Sequence, residues 1–207
     1  MFQDISVLHY VICYIAGHIC GSVPCGLWIC KMIYDIDIRD YGSKNIGTTN
    51  VFRTVGWPAA ISVLIGDILK GLLVVILVDY LFHNPGLNVA AALGAFLGHS
   101  YSVFLGFKGG KSVATGVGMI IFLMPKVAAS VTVVWLILVL VTRYVSLGSI
   151  VAALTAPFFA WYFDNPMPYV LLTVFAAIMI TVRHKDNIKR LMSGTESKIK
   201  PGKFEKK

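Results

Sequence analysis

Three short polar segments hold nearly all of the chemistry open to this chain. The first runs Arg39-Asp40-Tyr41-Gly42-Ser43-Lys44-Asn45-Ile46-Gly47-Thr48-Thr49-Asn50-Val51-Phe52-Arg53. Glycine lets backbone N–H groups converge on an anion, and nearby hydroxyls and amides add neutral donors. Ordinary connecting loops share that composition, so this run points to an anion only in company. The second is Gly98-His99, then Phe104-Leu105-Gly106-Phe107-Lys108-Gly109-Gly110-Lys111-Ser112, a Gly-Gly pair between two lysines at the start of an apolar run. Lysines and a helix N-terminus both favour phosphate. It is not a nucleotide P-loop, because Leu105 stands where GxxxxGK[ST] requires its first glycine. The third is Arg183-His184-Lys185-Asp186-Asn187-Ile188-Lys189-Arg190, continuing to Lys198. Continued as one helix, it would set Arg183, Asn187 and Arg190 on a shared face with His184 beside them.

Other chemistries lack their residues. Asp35, Asp37, Asp40, Asp186 and Glu196 are the local acids, and none has triad or metal-ligand spacing, so no metal is expected. No histidine has an aspartate five positions on, and no Asp-Gly dipeptide occurs. The HxxxxD pattern of common phospholipid acyltransferases and the aspartate signature of alcohol phosphatidyltransferases are therefore absent.

These segments must be positioned by membrane helices. Of 207 residues, 57% are hydrophobic and 14% charged, and mean hydropathy is +0.77. A soluble domain is roughly 45–50% apolar and about 25% charged, so a water-soluble globule is excluded. Apolar runs lie near 5–30, 58–82, 87–105, 112–124, 127–142, 146–163 and 168–182, giving seven candidate spans against the roughly 20 residues a crossing needs. The fourth and fifth are short, so 112–142 could instead be a tilted or re-entrant hairpin, leaving five. Basic residues collect on one side: Lys31, Arg39, Lys44 and Arg53, then Lys108 and Lys111, Arg143, and those from Arg183 onward, with only Lys126 opposite. By the positive-inside rule the N-terminus is outside and the C-terminus cytoplasmic. Met1-Phe2-Gln3-Asp4 lacks the positive n-region of a signal peptide, so the first apolar run is retained. Cys13, Cys20, Cys25 and Cys30 have no CxxC pairing and are expected as reduced, helix-packing thiols. Asp67 and Lys70, spaced i,i+3 inside the second span, can neutralise one another, as helix-packing glue or as a functional pair. Ser146 and Ser149, at the start of the sixth span, are expected to bond locally to backbone.

Taken together, the residues carry a resemblance. Ser22-Val23-Pro24-Cys25-Gly26, Gly42 to Asn50, Phe107-Lys108-Gly109-Gly110-Lys111, Arg143-Tyr144-Val145-Ser146-Leu147 and Arg183-His184-x-x-Asn187-Ile188 resemble the bacterial acyl-phosphate:glycerol-3-phosphate acyltransferases, the PlsY family. The likeness implies an all-α polytopic membrane protein of the cytoplasmic membrane with a cytoplasm-facing site. It implies transfer of an acyl group from acyl phosphate to the C1 hydroxyl of glycerol 3-phosphate, giving lysophosphatidic acid and phosphate. It also implies catalytic roles for Ser43, Arg53, Lys111, His184 and Asn187, and substrate contacts from Gly109 and Gly110, with Ser149 matching a site serine. Lys108, Asn45, Asn50 and Arg183, which flank these positions, are expected to help bind substrate. Glu196 matches an acid regarded as structural, a role expected also of Asp67 and Lys70. Lys44 and Ser112 stand where the family usually has glycine, Thr48 where it has alanine and Ser102 where it has proline.

Acyl phosphate is already activated, so neither cofactor nor metal is needed. The partners expected are the two substrates, membrane lipid and a functional link to the soluble enzyme that makes acyl phosphate, without nucleic acid. Residues 1–198 form a single membrane domain, and 199–207 a frayed basic tail. The alternative reading, a transporter of organophosphate anions, would call for inverted repeats and broken helices near the midplane.

Overall fold

The computed structural model describes residues 5–200 and Gly202. Met1 to Asp4 and most of the basic tail lie outside the described residues, so the expected start of the chain and that tail's fraying are not addressed. Among the described residues every regular element is helical: α1 (Val7–Ser22), α2 (Cys25–Tyr34), α3 (Thr48–Thr54), α4 (Trp57–Phe82), α5 (Pro85–Ser100), α6 (Val113–Leu123), α7 (Pro125–Thr142), α8 (Val145–Tyr162), α9 (Met167–Arg183) and α10 (Lys185–Met192). Proline sets many of the starts. It stands at the first or second position of α4, α5, α7 and α9, where its missing N–H costs nothing. Asn84 caps α5 by accepting from the Leu87 N–H at 3.1 Å.

Five helical segments are long and apolar enough to cross a bilayer: Val7–Tyr34, α4, α5 extended to Leu105, α7 and α8; α9 with α10, bent by 60°, would make a sixth. All seven apolar runs are helical, but α6 has only 11 residues. At 1.5 Å per residue it reaches about 16 Å, half of a hydrocarbon core of about 30 Å. The fourth candidate, short for a crossing by its sequence, is therefore about half of one. The expected continuous helix from Arg183 to Arg190 is also corrected, because the chain breaks at His184 and α10 turns away.

The bundle is drawn together by small residues. Gly17 and Gly21 on α1 face α5 so closely that a Cβ on either would lie 2.1 Å from the carbonyl oxygen of Ala91 or Ala95. Gly94 and Gly98 return the contact, at 2.1 Å from Tyr14 O and 2.2 Å from His18 O. Two small-xxx-small stripes thus pack against each other, as membrane helices do where burial of apolar surface gives no drive. Gly71 and Gly118 make the same approach between α4 and α6.

Pro24 interrupts α1 and α2 and frees carbonyls that the membrane cannot hydrate. Side chains from elsewhere in the bundle take them: Ser102 Oγ, just past α5, donates to Ser22 O at 2.6 Å, and Lys70 Nζ of α4 to Val23 O at 2.8 Å. The four cysteines are free thiols, with Cys13 and Cys30 buried. Past α10 the chain does not leave the bundle at once. Ile199 N–H donates to Arg143 O at 2.8 Å and Gly202 N–H to Phe52 O at 3.0 Å, so residues 196–200 and Gly202 form a strap across the polar end of the bundle.

The stripes predict a sharp contrast. Gly94→Leu should destabilise the protein by about 3 kcal/mol, the upper range for overpacking, measured by thermal unfolding in detergent. Gly116→Ala, whose new Cβ would meet only Phe96 at 3.7 Å, should be neutral or stabilising by up to about 1 kcal/mol through helix propensity.

Candidate active site

Two cavities meet at the polar end of the bundle. One, of about 450 Å³, runs between α4, α6, α7, α8 and α9 and is walled mainly by Ile61, Leu64, Ile120, Ala152, Ala156 and Leu172. The other, of about 340 Å³, is lined by Tyr101, Arg183, Lys185, Asp186 and Arg190 together with Ser43, Asn45, Lys111 and Asn187. Those last four line both cavities, so an apolar chamber opens into a cationic basin through two amides, a hydroxyl and a lysine.

Glu196 organises this junction. Its buried carboxylate accepts from Ser146 Oγ and Asn187 Nδ2, each at 2.8 Å, and from Arg190 Nε at 2.7 Å. Burial pushes its pKa up, but these donors outweigh burial and hold it below the usual carboxylate range. Asn187 turns its amide oxygen to Lys111 Nζ, linking the lysine to the acid through one side chain. Ser146, expected to bond to local backbone, instead serves Glu196. Ser149 does bond locally, to Val145 O at 2.9 Å, while lining the apolar chamber.

Lys111 is partly buried just before α6. Burial is the main force lowering its pKa, to about 8; Glu196 opposes the shift, while Arg190, Arg183 and Arg53 add to it. His184 occupies the bend between α9 and α10 and is buried, with Nδ1 2.8 Å from Ile180 O. Burial, then the charge of Lys111, pushes its pKa down to about 4. The imidazole is neutral at pH 7, and Nδ1–H donates to Ile180, which leaves the Nε2 lone pair. Arg53, from α3, donates to Ser197 O in the strap. Its Nε, like Thr48 Oγ1, is buried without a hydrogen-bond partner, and both residues line the apolar chamber.

The other expected residues separate by what they touch. Asn50 is committed to its own loop, accepting from Ser43 N–H at 2.8 Å and donating to the carbonyls of Ile38, Tyr41 and Asn45. Asn45 accepts from Gly47 N–H at 2.9 Å. Lys108 is exposed and lines neither cavity, and Gly109 and Gly110 line neither. Arg183 instead donates to the carbonyls of Gly109 and Gly110 at 2.9–3.1 Å and lies over the Tyr101 ring. Two substitutions for glycine fall at left-handed positions, Lys44 at φ 58° and Ser112 at φ 57°. Lys44 is exposed, whereas the Ser112 hydroxyl bonds Ser100 Oγ and Phe96 O, each at 2.6 Å, and helps hold that turn. Sequence reasoning gave His99 no role. It is buried in the chamber wall 3.6 Å from Asp67, and its one signal in the sequence is a histidine inside an apolar run just ahead of the glycine loop.

An apolar chamber joined to a cation-lined basin in a helical membrane bundle defines a membrane enzyme acting between a lipid chain and a phosphate-bearing polar molecule. The family model described as glycerol-3-phosphate acyltransferase matches residues 11–194, and the chain belongs to that family. A glycerol-3-phosphate acyltransferase of Trichlorobacter lovleyi is 45% identical over 188 residues, 90% of this chain and 96% of its own. One from Carboxydothermus hydrogenoformans is 47% identical over 184 residues, covering 88% of this chain and 93% of its own. Crystal structures of PlsY (YgiH), an integral membrane glycerol 3-phosphate acyltransferase, superpose with TM-scores of 0.87 (glycerol 3-phosphate form) and 0.85 (lysophosphatidic acid form). Both are 35% identical; the first covers 92% of this chain and 96% of that one, the second 91% and 94%.

Removing the organising acid should be costly. Glu196→Ala is expected to destabilise the protein by about 3 kcal/mol, since it strands buried donors and leaves their cations unopposed. Glu196→Gln, which keeps an acceptor, should cost less, with both read by unfolding in detergent.

Proposed function

We propose that the protein transfers an acyl group from acyl phosphate to the C1 hydroxyl of glycerol 3-phosphate, releasing lysophosphatidic acid and inorganic phosphate. The observation that carries this reading is the junction itself, where an apolar chamber meets a cationic basin at Lys111 and Asn187. The acyl chain lies in the chamber and glycerol 3-phosphate in the basin, so the donor carbonyl and the acceptor hydroxyl meet between them. Holding two anions together is the main task, because the mixed anhydride is already activated.

Lys111 and Arg53 neutralise phosphate oxygens, while Ser43 and Asn187 orient them by hydrogen bonds. The C1 oxygen attacks the acyl carbon, a tetrahedral oxyanion forms, and the carbon–oxygen bond to phosphate breaks with its electron pair leaving on phosphate. The hydroxyl proton passes to His184 Nε2 or to an oxygen of the departing phosphate. A histidine titrating near 4 is a weak base, which favours the phosphate oxygen as acceptor and leaves His184 to position the hydroxyl. Gly109 and Gly110 act through the loop they form, and Arg183 holds that loop. Lys108, Asn45 and Asn50 support the surrounding loops, with Ser149 in the chamber wall. Glu196 is structural. The chemistry proceeds without cofactor or metal.

The site faces the cytoplasm in a bacterial inner membrane, with the N-terminus outside. Lys31, Lys44, Arg53, Lys111, Arg143 and Arg183 belong to the end that bears the site, and Lys126 to the other. Seven passes, the fourth short, satisfy this sidedness. Residues 1–198 form one unit, with 199–207 a basic extension, and a soluble enzyme supplies acyl phosphate from the cytoplasmic side.

The direct test gives the purified protein glycerol 3-phosphate with acyl phosphate, acyl-CoA or acyl carrier protein and measures lysophosphatidic acid and phosphate. Product is expected from acyl phosphate alone. No product with any donor, together with glycerol 3-phosphate counterflow in liposomes, would replace this reading with a transporter.

Two further outcomes follow for Lys111. Lys111→Ala should lower kcat/KM for glycerol 3-phosphate by about 100-fold, as loss of one charged donor at a reacting centre does. In the wild type kcat/KM should fall as pH rises through about 8, where Lys111 loses its proton. Below that pH the ammonium is present and holds phosphate. Lys111→Arg, which stays charged, should move the falling limb to higher pH.

A further inference from the structure

Asp67, Lys70 and His99 take no part in the phosphate chemistry above, yet they adjoin the loop that carries Lys111. Lys70 Nζ lies 2.8 Å from Asp67 Oδ1 and donates to Val23 O at 2.8 Å. His99 Nδ1 approaches the same carboxylate oxygen at 3.6 Å. The three residues are only 2%, 6% and 4% exposed, within α4 and α5, where bare charge is costly. Asp67 and His99 belong to the chamber wall.

His99 also supports the loop. A Cβ on Gly110 would lie 2.1 Å from His99 Nε2, so the imidazole occupies the place of a side chain at 110. The Gly110 N–H donates to His99 O at 3.0 Å. Gly109 sits as tightly, with a Cβ there 2.1 Å from His99 O and 2.8 Å from Ser100 O. Arg183 grips the loop through the carbonyls of both glycines. The Gly-Gly pair is therefore needed for seating against His99, and the residue it delivers is Lys111.

A packing role alone does not account for this arrangement. A buried ion pair is weak evidence of stability, since apolar residues of similar volume often do as well. Lys70 already reaches outside α4 to Val23 O, and Asp67 Oδ1 and His99 Nδ1, 3.6 Å apart, have no hydrogen-bond partner among the described residues. The carboxylate therefore acts on the ring by charge across a buried gap, where such an attraction is strong.

We infer that Asp67 and His99 are positioning residues for Lys111: the Asp67 carboxylate, neutralised by Lys70, orients the imidazole on which Gly110 rests and so sets where the Lys111 ammonium meets phosphate. The inference rests on the phosphate role given to Lys111 above. Loss of the support lets the loop lift and Lys111 move toward water. Ground-state phosphate binding then weakens, and the lysine regains solvation.

The test uses full-length protein carrying Asp67→Asn with Lys70→Gln, which removes both charges and leaves no bare ion, and His99→Ala separately. KM for glycerol 3-phosphate should rise about tenfold or more in each, with kcat per folded molecule within about threefold of wild type. Lys111 should titrate closer to its ordinary 10.5 than to about 8. Its titration is followed by ¹³C NMR of reductively methylated protein, with Lys111→Arg identifying the signal. A purely packing role would lower thermal stability and leave both KM and the lysine titration where they were, and that result would overturn the proposal. If the wild type makes no lysophosphatidic acid, the function proposed above falls, while the titration still decides whether Asp67 and His99 set the environment of Lys111.

Discussion

One buried carboxylate stands among the cations of the junction, and the arrangement of the site depends on it. Arg53, Lys111, Arg183 and Arg190 converge there, and the charge of Glu196 opposes that of the three arginines at Lys111. Like charges this close repel strongly where water is scarce. Glu196 accepts from Arg190 directly and from Lys111 through Asn187, so the cations are spaced instead of scattered. The surplus that remains makes the site receptive to dianions. Asp186 also lines the basin, and a further acid buried at the junction would relieve the repulsion and weaken the attraction for phosphate.

The bundle serves this end by bringing backbone close where it can and by repairing backbone where it cannot. Mutual glycine stripes on α1 and α5 remove the space a side chain would need, which fixes α5 and hence His99 and the loop behind it. The break at Pro24 sets Val23 O within reach of Lys70, so a defect in one span becomes the anchor of a buried network in another. The strap closes the same end, with Ile199 in the wall of the apolar chamber and Ser197 against Arg53.

Much of this was legible in the sequence. Seven apolar runs became helices, and the three polar segments do converge on one end, as charge placement required. What escaped was set by distance in three dimensions. The glycines between Lys108 and Lys111 suggested close approach to phosphate, but their immediate neighbour is the imidazole of His99. Arg183 looked like a free cation in line with Asn187, until a bend at His184 took it to the carbonyls of Gly109 and Gly110. Lys44 and Ser112 looked like chemical departures, and their shared positive φ explains why glycine is at ease there. A pattern of residue types cannot show a backbone angle or a contact across 70 residues. Glu196 was visible only as an acid of structural kind, because the partner that ties it to another helix, Ser146, lies 50 residues away in the chain.

The position of Glu196 in the chain bears on the order in which the protein is built. It follows α10, so it leaves the ribosome after every apolar helix has been made. Without the residues from Glu196 on, the glycine stripes and Lys111 are present, but Asn187 and Ser146 lack their acceptor and the chamber lacks the wall that Ile199 gives it. Among the described residues, the polar end is therefore completed last, by a segment that follows every apolar helix in synthesis.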